Sequence, residues 1–314
     1  MTDKKIIAVV GATGQQGGGL AAAILDDPDG GFAVRALTRN PDSAAAKALA
    51  ARGAEVVTTD VDDEASLRAA LDGAYGAYFV TAFWEYNDVV REQAQARAMA
   101  NAAKAAGLRH VIWSTLPDTR DHIAMDDERV PTLHGEYKVP HFDSKAVSDR
   151  FFRDAGVPTT FLSTTYYFDS FLEFFRPARG EDGKLALYLP MGDRKLPGIA
   201  SEDIGRTAYA ILQRGTELVG ETISISGENL TGDEYAARFS KELGEEVVYR
   251  ATSLDDVRAS GVPGADDIAN MFFYYAEHEE YFAGARDPEF VRTLNPRLKD
   301  FSTWLAANRD KFRD

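Results

Sequence analysis

Ile6-Ile7-Ala8-Val9-Val10-Gly11-Ala12-Thr13-Gly14-Gln15-Gln16-Gly17 is where the chain first declares its architecture. Its apolar half is rich in β-branched residues and lacks polar alternation, as expected of a parallel strand buried on both faces. Glycines at 11, 14 and 17 follow as G-x-x-G-x-x-G, a variant of the G-x-G-x-x-G dinucleotide fingerprint. The physical roles carry over. Gly11 permits the tight turn, Gly14 lets backbone approach a pyrophosphate, and Gly17 lets a helix pack against the strand. A helix starting near Gln15 turns its unpaired N–H groups and positive dipole end toward phosphate. Thr13, Gln15 and Gln16 ride on the same turn and are candidate cofactor contacts with the three glycines. The competing use of such a turn is packing alone. Its place after the first strand, with βα units behind it, favours phosphate.

Outward from this turn, short apolar runs alternate with helical patterns. Strands are expected at Ile6–Val10, Val34–Thr38, Glu55–Thr58, Ala77–Val80, His110–Ser114 and Thr159–Ser163. Helices are expected at Gly17–Leu25, Ala44–Ala51, Ala65–Leu71, Val89–Ala106 and Phe142–Ala155. In the fourth helix Val90, Ala94, Ala98, Ala102 and Ala106 recur at steps of four, suggesting its buried face. Repeated βα units imply an α/β fold, a doubly wound parallel sheet wrapped by helices through right-handed crossovers. The expected organisation is a dinucleotide-binding domain over 1–165, rejoined by 199–226, with a helix at Asp203–Gln213 and a strand at Thr222–Ser226. A smaller α/β substrate domain takes 166–198 and 227–314, with Tyr235, Phe239, Met271–Tyr275 and Trp304 as core candidates. The polar stretch 117–140 is long for a loop in a compact domain, and such loops are usually functional or mobile.

The chain has 314 residues, a length suited to about two domains. It carries 35 Lys plus Arg against 50 Asp plus Glu, a net charge of −15. That charge disfavours direct nucleic-acid reading and an anionic membrane surface, since both need basic residues. No apolar run approaches a membrane span or a signal peptide. There is no cysteine, so disulfides, thiol nucleophiles, cysteine zinc sites and iron–sulfur clusters are excluded. A cytoplasmic home fits. The histidines at 110, 122, 134 and 278 show no H-E-x-x-H or other ligand spacing, and no metal is assigned.

The second strand decides which dinucleotide is taken. An acid at its end would bind the ribose 2′-OH of NAD, but Thr38 and Arg39 stand there. An arginine fork suits the 2′-phosphate of NADP, although Asp42 would repel it and Arg39 could be a solvated surface residue. NADP(H) is therefore favoured over NAD(H). Asp62 and Asp63 follow the third strand, where a carboxylate either accepts from the adenine amine or caps a helix. Thr81, Ala82 and Phe83 close the fourth strand at the carboxyl edge of the sheet, where the cofactor should lie.

These features resemble the NmrA-like branch of the atypical short-chain dehydrogenases/reductases, over nearly the whole chain. The resemblance rests on Gly11–Gly19, Leu37-Thr38-Arg39-Asn40-Pro41, Val80–Glu85, His141-Phe142-Asp143-Ser144-Lys145, Gly156-Val157-Pro158 and Pro263–Tyr275. The last, with Asp267-Ile268-Ala269-Asn270-Met271, is similar to a subgroup that includes animal redox sensors. It implies a Rossmann domain, a smaller substrate domain and NADP(H) binding. Short-chain reductases use a Ser, then a Tyr and a Lys four apart on one helix face, where the Lys lowers the Tyr pKa. Here Ser114 and Lys145 stand in place, but His141 replaces the Tyr, as relatives also commonly lack it. In them the lysine is linked to the nicotinamide ribose, so Lys145 is a cofactor contact even without chemistry. His141 is a candidate acid because its ordinary pKa is near ~6.5. Its competing use is a plain place at a helix start after Pro140. Tyr137 and the stretch Thr164–Phe168 are substitutes; the resemblance puts Tyr167 and Ser170 where relatives contact cofactor, and an aromatic core is the alternative.

Three readings follow. The first is an NADP(H)-binding regulator or redox sensor with little turnover, acting through a protein partner. The second is an NAD(P)H-dependent reductase of quinone-like or other flat apolar acceptors. The third is a structural module with a degenerate site, against which the intact glycine turn argues.

Overall fold

The computed structural model describes residues 4–312. The chain divides into two units: 1–118, 144–164 and 202–223 in one, and 119–143, 165–201 and 224–314 in the other. Residues 119–143, which the sequence places within the first domain, belong to the second unit.

The first unit runs β1 (Lys5–Val10), α1 (Gln15–Leu25), β2 (Phe32–Thr38), α2 (Ala44–Ala51), β3 (Glu55–Thr58), α3 (Glu64–Leu71), β4 (Gly76–Phe79), α4 (Phe83–Tyr86), α5 (Val89–Ala105) and β5 (His110–Thr115). After α6 (Pro140–Ala155) it continues through β6 (Thr159–Ser163). Among the described residues the sheet has the order β11-β6-β5-β4-β1-β2-β3, where β11 is Thr222–Ser224. Pairs from β3 through β6 are parallel, with Val9 opposite Tyr78 and Val10 opposite Leu37. The chain moves outward from β1 to β3, then restarts beside β1 with β4. This reversal is the switch point of a doubly wound sheet, where the carboxyl ends open a crevice.

On one face, Ala8, Val10, Phe79, Val111, Trp113 and Phe161 pack with residues of α3, α5 and α6. Alternate residues such as Ile7, Val9, Val34 and Ile112 are equally buried, which is why these strands show no polar alternation. α1 comes very close to α7 (Ser201–Gln213): a methyl on Gly205 would collide with the Leu20 amide nitrogen. The stripe expected on α5 is corrected: its buried residues include Val89, Glu92, Ala96, Met99 and Ala103, while Val90 is 74% exposed. A step of four drifts around a helix, whereas mixed steps of three and four hold one face.

Among the described residues the second unit has two three-stranded sheets, the first built of β7 (Tyr166–Tyr167), β10 (Lys195–Ile199) and β12 (Glu228–Thr231). The other joins β8 (Ala178–Arg179), β9 (Leu185–Leu189) and β13 (Val247–Ala251). Its helices are α8 (Gly232–Leu243), α9 (Leu254–Ala259), α10 (Ala265–Glu277), α11 (Glu279–Phe282), α12 (Pro288–Leu294) and α13 (Phe301–Asn308). Phe168, Phe171, Tyr235, Phe239, Phe301 and Trp304 form an edge-on and tilted aromatic core.

The stretch 117–140 is fastened rather than free. The buried Asp143 carboxylate accepts from the Thr119 amide at 2.8 Å and hydroxyl at 2.7 Å, and from the amides of Lys138 at 2.9 Å and Val139 at 3.0 Å. Asn270 donates to the carbonyls of Pro131 at 2.9 Å and Lys138 at 2.6 Å. The buried Lys138 ammonium donates to the Val130 carbonyl at 2.7 Å. Long loops without regular structure need such side-chain partners for their backbone groups. No helix among the described residues is long and apolar enough to cross a membrane.

Candidate functional site

The glycine turn forms because Gly11 takes φ +68°, a left-handed value that a side chain disfavours, and its carbonyl accepts from the Gly14 amide at 2.8 Å. Gly17 then passes so close that a methyl there would stand 2.5 Å from the Gly11 oxygen. α1 begins at Gln15 without a side-chain cap and without an acid in its first turn. By contrast α2, α3 and α5 are capped by Ser43, Asp63 and Asp88. Thr13, Gly14 and Gln15 are exposed. A negative group meets backbone donors here and no carboxylate, which fits a pyrophosphate. The Gln16 side chain is engaged within the unit: its Oε1 accepts from Tyr78 Oη and, at 2.8 Å, from Ser114 Oγ. That pins the start of α1 to β4 and β5 and engages the Ser114 hydroxyl.

Lys145, on α6, is buried. Its Nζ donates to Thr81 Oγ1 at 2.6 Å, to the Thr81 carbonyl at 3.2 Å and to Glu92 Oε1 at 2.8 Å. Thr81 Oγ1 in turn donates to Glu92 Oε1 at 2.6 Å. Glu92 is 3% exposed, and its Oε2 has no hydrogen-bond partner. The structure thus joins two expected residues, Lys145 and Thr81, through an acid that the sequence reading missed. No signal in the sequence marked it, because the stripe expected on α5 ran through Val90, and the buried face holds the polar Gln95 as well. Ala82 is exposed, and Phe83 is buried at the start of α4.

Asp149, one turn beyond Lys145, was missed as well. Its Oδ1 accepts from Trp113 Nε1 at 2.9 Å and Thr115 Oγ1 at 2.7 Å, and burial pushes its pKa up to about 7. The unfolded value is about 3.9, so between pH 4 and 7 the native state holds a proton that the unfolded state has lost. Stability from this group is complete below the unfolded pKa and declines as pH rises through the folded one. Asp149→Asn keeps the acceptor oxygen and removes the titration. Urea midpoints measured from pH 4.5 to 8 should fall with pH in the parent relative to this variant; parallel profiles would contradict the assignment.

Beyond β2, Thr38 Oγ1 accepts from the Asn40 amide at 3.2 Å. Arg39 is 59% exposed in its side chain and forms a two-pronged pair with Glu85, NH1 to Oε1 at 2.5 Å and NH2 to Oε2 at 3.0 Å. Asp62 is held by Arg91 and by Gln95 Nε2 at 2.7 Å, which keeps its carboxyl below the usual range. Asp63 caps α3 through the Ala65 amide at 2.9 Å, the capping use the sequence left open.

In the second unit, His141 Nδ1 is hydrogen-bonded to Asp267 Oδ1 at 2.7 Å, and the His141 amide donates to Asp267 Oδ2 at 3.2 Å. Both residues are buried. His141 therefore sits at the first turn of α6 with a buried carboxylate on its Nδ1, an arrangement compatible with either use the sequence offered. Asp267 and Asn270, from the Asp267–Met271 motif, both act on the 131–141 backbone. Tyr137 is buried in a bridge with Leu133. Tyr167 lies in β7 and Ser170 in the 3₁₀ turn Phe168–Leu172, both half-buried. The unit also carries an apolar cleft of about 180 Å³ lined by Phe174, Phe175, Tyr188, Val257, Val262 and Ile268. No group of three or more His, Asp or Glu placed to hold a metal occurs among the described residues.

The NmrA-like family model matches residues 3–305. An NmrA-like family domain-containing oxidoreductase, FrzB of Cladobotryum sp, is 29% identical over 301 residues, covering 88% of this chain and 86% of that protein. Quinone oxidoreductase 2 of Escherichia coli (strain K12) is 29% identical over 274 residues, covering 85% of each. Among solved structures, NmrA, a negative transcriptional regulator, in complex with NAD shares the fold with a TM-score of 0.80 at 22% identity, covering 97% of this chain and 95% of that one. The strand order, the turn after β1 and a family match spanning almost every residue agree: the chain belongs to the NmrA-like family.

Proposed function

We propose that the protein binds NADP(H) at the carboxyl edge of the first unit and acts as a dinucleotide-responsive regulator with little turnover. The observation that carries this reading is the state of the catalytic positions. His141 stands where short-chain reductases keep their tyrosine and is engaged by Asp267, while Lys145 is neutralised by a buried acid of its own. A lysine held by a carboxylate has little field left with which to lower another group's pKa. Dinucleotide binding is supported by the uncapped, acid-free start of α1 and by the Gly17 approach, which together leave a phosphate cradle. It is also supported by same-fold structures described as complexes of NmrA with NADP or NAD.

In this reading Gly11, Thr13, Gly14 and Gln15 hold the pyrophosphate, and Arg39 faces the ribose 2′-position. Thr81 and Lys145 bind near the nicotinamide ribose. When bound, the dinucleotide supplies a hydride or its acceptor; the chain's residues orient it and shield Lys145 from water.

A second reading, an NAD(P)H-dependent reductase of quinone-like acceptors, is favoured by the identity to Quinone oxidoreductase 2. Direct hydride transfer to a flat acceptor needs no tyrosine. Titrating NADPH and NADH by fluorescence, then following nicotinamide absorbance with a panel of quinones and carbonyls, separates the two. Submillimolar binding with negligible acceptor-dependent oxidation is the expected result. Rapid oxidation would replace the regulator by the reductase, and absence of binding would remove both.

A further inference from the structure

The polar band at the open ends of β2 and β4 lies wholly within the first unit. Glu85 takes both prongs of Arg39, and Tyr86 Oη accepts from Arg39 NH1 at 2.7 Å while donating to Glu85 Oε1 at 3.0 Å. The Arg91 guanidinium lies over the Tyr86 ring at 3.4 Å and pairs with Asp62 through Nε at 3.2 Å. Two guanidinium groups thus face two carboxylates, and the band has no net charge. Arg39 holds the Glu85 carboxyl below the usual carboxylate range, so that acid is ionised at neutral pH. α4 is one turn long and ends on Asn87 at φ +50°, which places Glu85 on a short, tightly terminated segment.

Two facts about dinucleotides meet this band. A 2′-phosphate needs the guanidinium fork, which Glu85 already occupies in the two-pronged geometry that a phosphate would use. A 2′-hydroxyl needs a carboxylate acceptor, and the end of β2 provides none. Glu85 brings that carboxylate from after β4 to the side of Arg39. We propose that Glu85 is a specificity-determining residue: it competes with the 2′-phosphate of NADP(H) for Arg39 and offers the 2′-hydroxyl of NAD(H) an acceptor. The Arg39–Glu85 pair thereby sets the NADP-to-NAD preference as a difference of two affinities. The proposal rests on the reading that the Gly11–Gly17 turn binds a dinucleotide.

The pair is exposed, with side-chain accessibilities of 59% and 37%. Exposed ion pairs are weak, so the phosphate can displace Glu85 at modest cost. Glu85→Gln keeps a hydrogen-bond acceptor for Arg39 but removes the charge that opposes the phosphate. Its NADPH Kd should fall about three- to tenfold, as expected for relieving one charged competitor beside a phosphate. NADH should bind equally well or up to about threefold more weakly, since a neutral amide is the poorer acceptor. Arg39→Ala should move the ratio the other way, weakening NADPH about tenfold and leaving NADH unchanged.

The experiment is a titration of NADPH, NADH and 2′,5′-ADP against the full chain and both variants, at low and high salt. Support requires opposite shifts of the NADPH-to-NADH ratio in the two variants, shrinking as salt screens the pair. Equal changes for both dinucleotides in Glu85→Gln, or weaker NADPH binding, overturn the role of Glu85 and leave the dinucleotide site standing. Failure of every form of the chain to bind either dinucleotide overturns the site itself, and the proposal with it.

Discussion

Replacing Lys145 by Met is expected to lower the unfolding free energy by about 3–5 kcal/mol, because it strands the Glu92 carboxylate in the interior. Glu92 is 3% exposed, and its Oε2 already lacks a partner, so the acid depends on Oε1 and on the two donors that reach it. The reverse change, Glu92→Leu, strands the ammonium beside Thr81 and should cost a similar amount. Their combination, Lys145→Met with Glu92→Leu, should restore about half of either loss, since two charges leave together but the Thr81 hydroxyl keeps no acceptor on Glu92. Urea unfolding of the three variants measures this as a double-mutant cycle. Losses below about 1 kcal/mol with additive behaviour would mean that the pair acts as a surface pair, contrary to its burial. A carboxylate is therefore part of the scaffold that holds Lys145.

The second large effect belongs to Gly17. A methyl placed there would stand 2.5 Å from the Gly11 oxygen, 2.7 Å from its carbonyl carbon and 2.9 Å from the Val10 oxygen. All three are backbone atoms, so no side chain can swing away. The start of α1 must lift or the turn must open. Gly17→Ala should cost about 1–3 kcal/mol of stability, the usual range for overpacking. On the proposed reading it should also weaken NADPH at least about tenfold, since the backbone amides of the turn lose their placement. Gly18→Ala is the control. A methyl there stands at ordinary contact, 3.4 Å from the Ala12 oxygen, and the helix gains up to about 1 kcal/mol from the better helix former. Calorimetric titration and thermal unfolding of both variants test this. Equal affinity losses at 17 and 18 would show that the helix, not the turn, is the sensitive element.

Of the residues behind these two predictions, Gly17 and Lys145 were legible in the chain and Glu92 was not. Gly17 announces itself because its spacing from Gly11 and Gly14 follows a strand, and local chemistry then dictates the turn. Glu92 does not, because its partner lies 53 positions away. The α5 pattern pointed to a stripe through Val90, and the structure turned the helix so that Val89, Glu92 and Ala96 face inward. Helical periodicity in an alanine-rich segment is shallow, and the neighbours α5 packs against choose the face.

Other parts divide along the same line. The strands of the first unit and its helices other than the one-turn α4 could be read from the chain, because buried parallel strands and caps are written locally. So could the glycine turn after β1, whose tight geometry the spacing of Gly11, Gly14 and Gly17 announces. The folded arrangement was needed to show that Asp143, Asn270 and Lys138 fasten the stretch 117–140, which has no periodic pattern to read. It was needed again to show that Gln16 serves Tyr78 and Ser114, that Asp62 is held by Arg91, and that the acid absent from the end of β2 arrives beside Arg39 from α4. The difference is one of range. Backbone conformation follows from a residue and its near neighbours, whereas the charge state and availability of a side chain follow from whatever distant group the fold sets within about 3 Å of it.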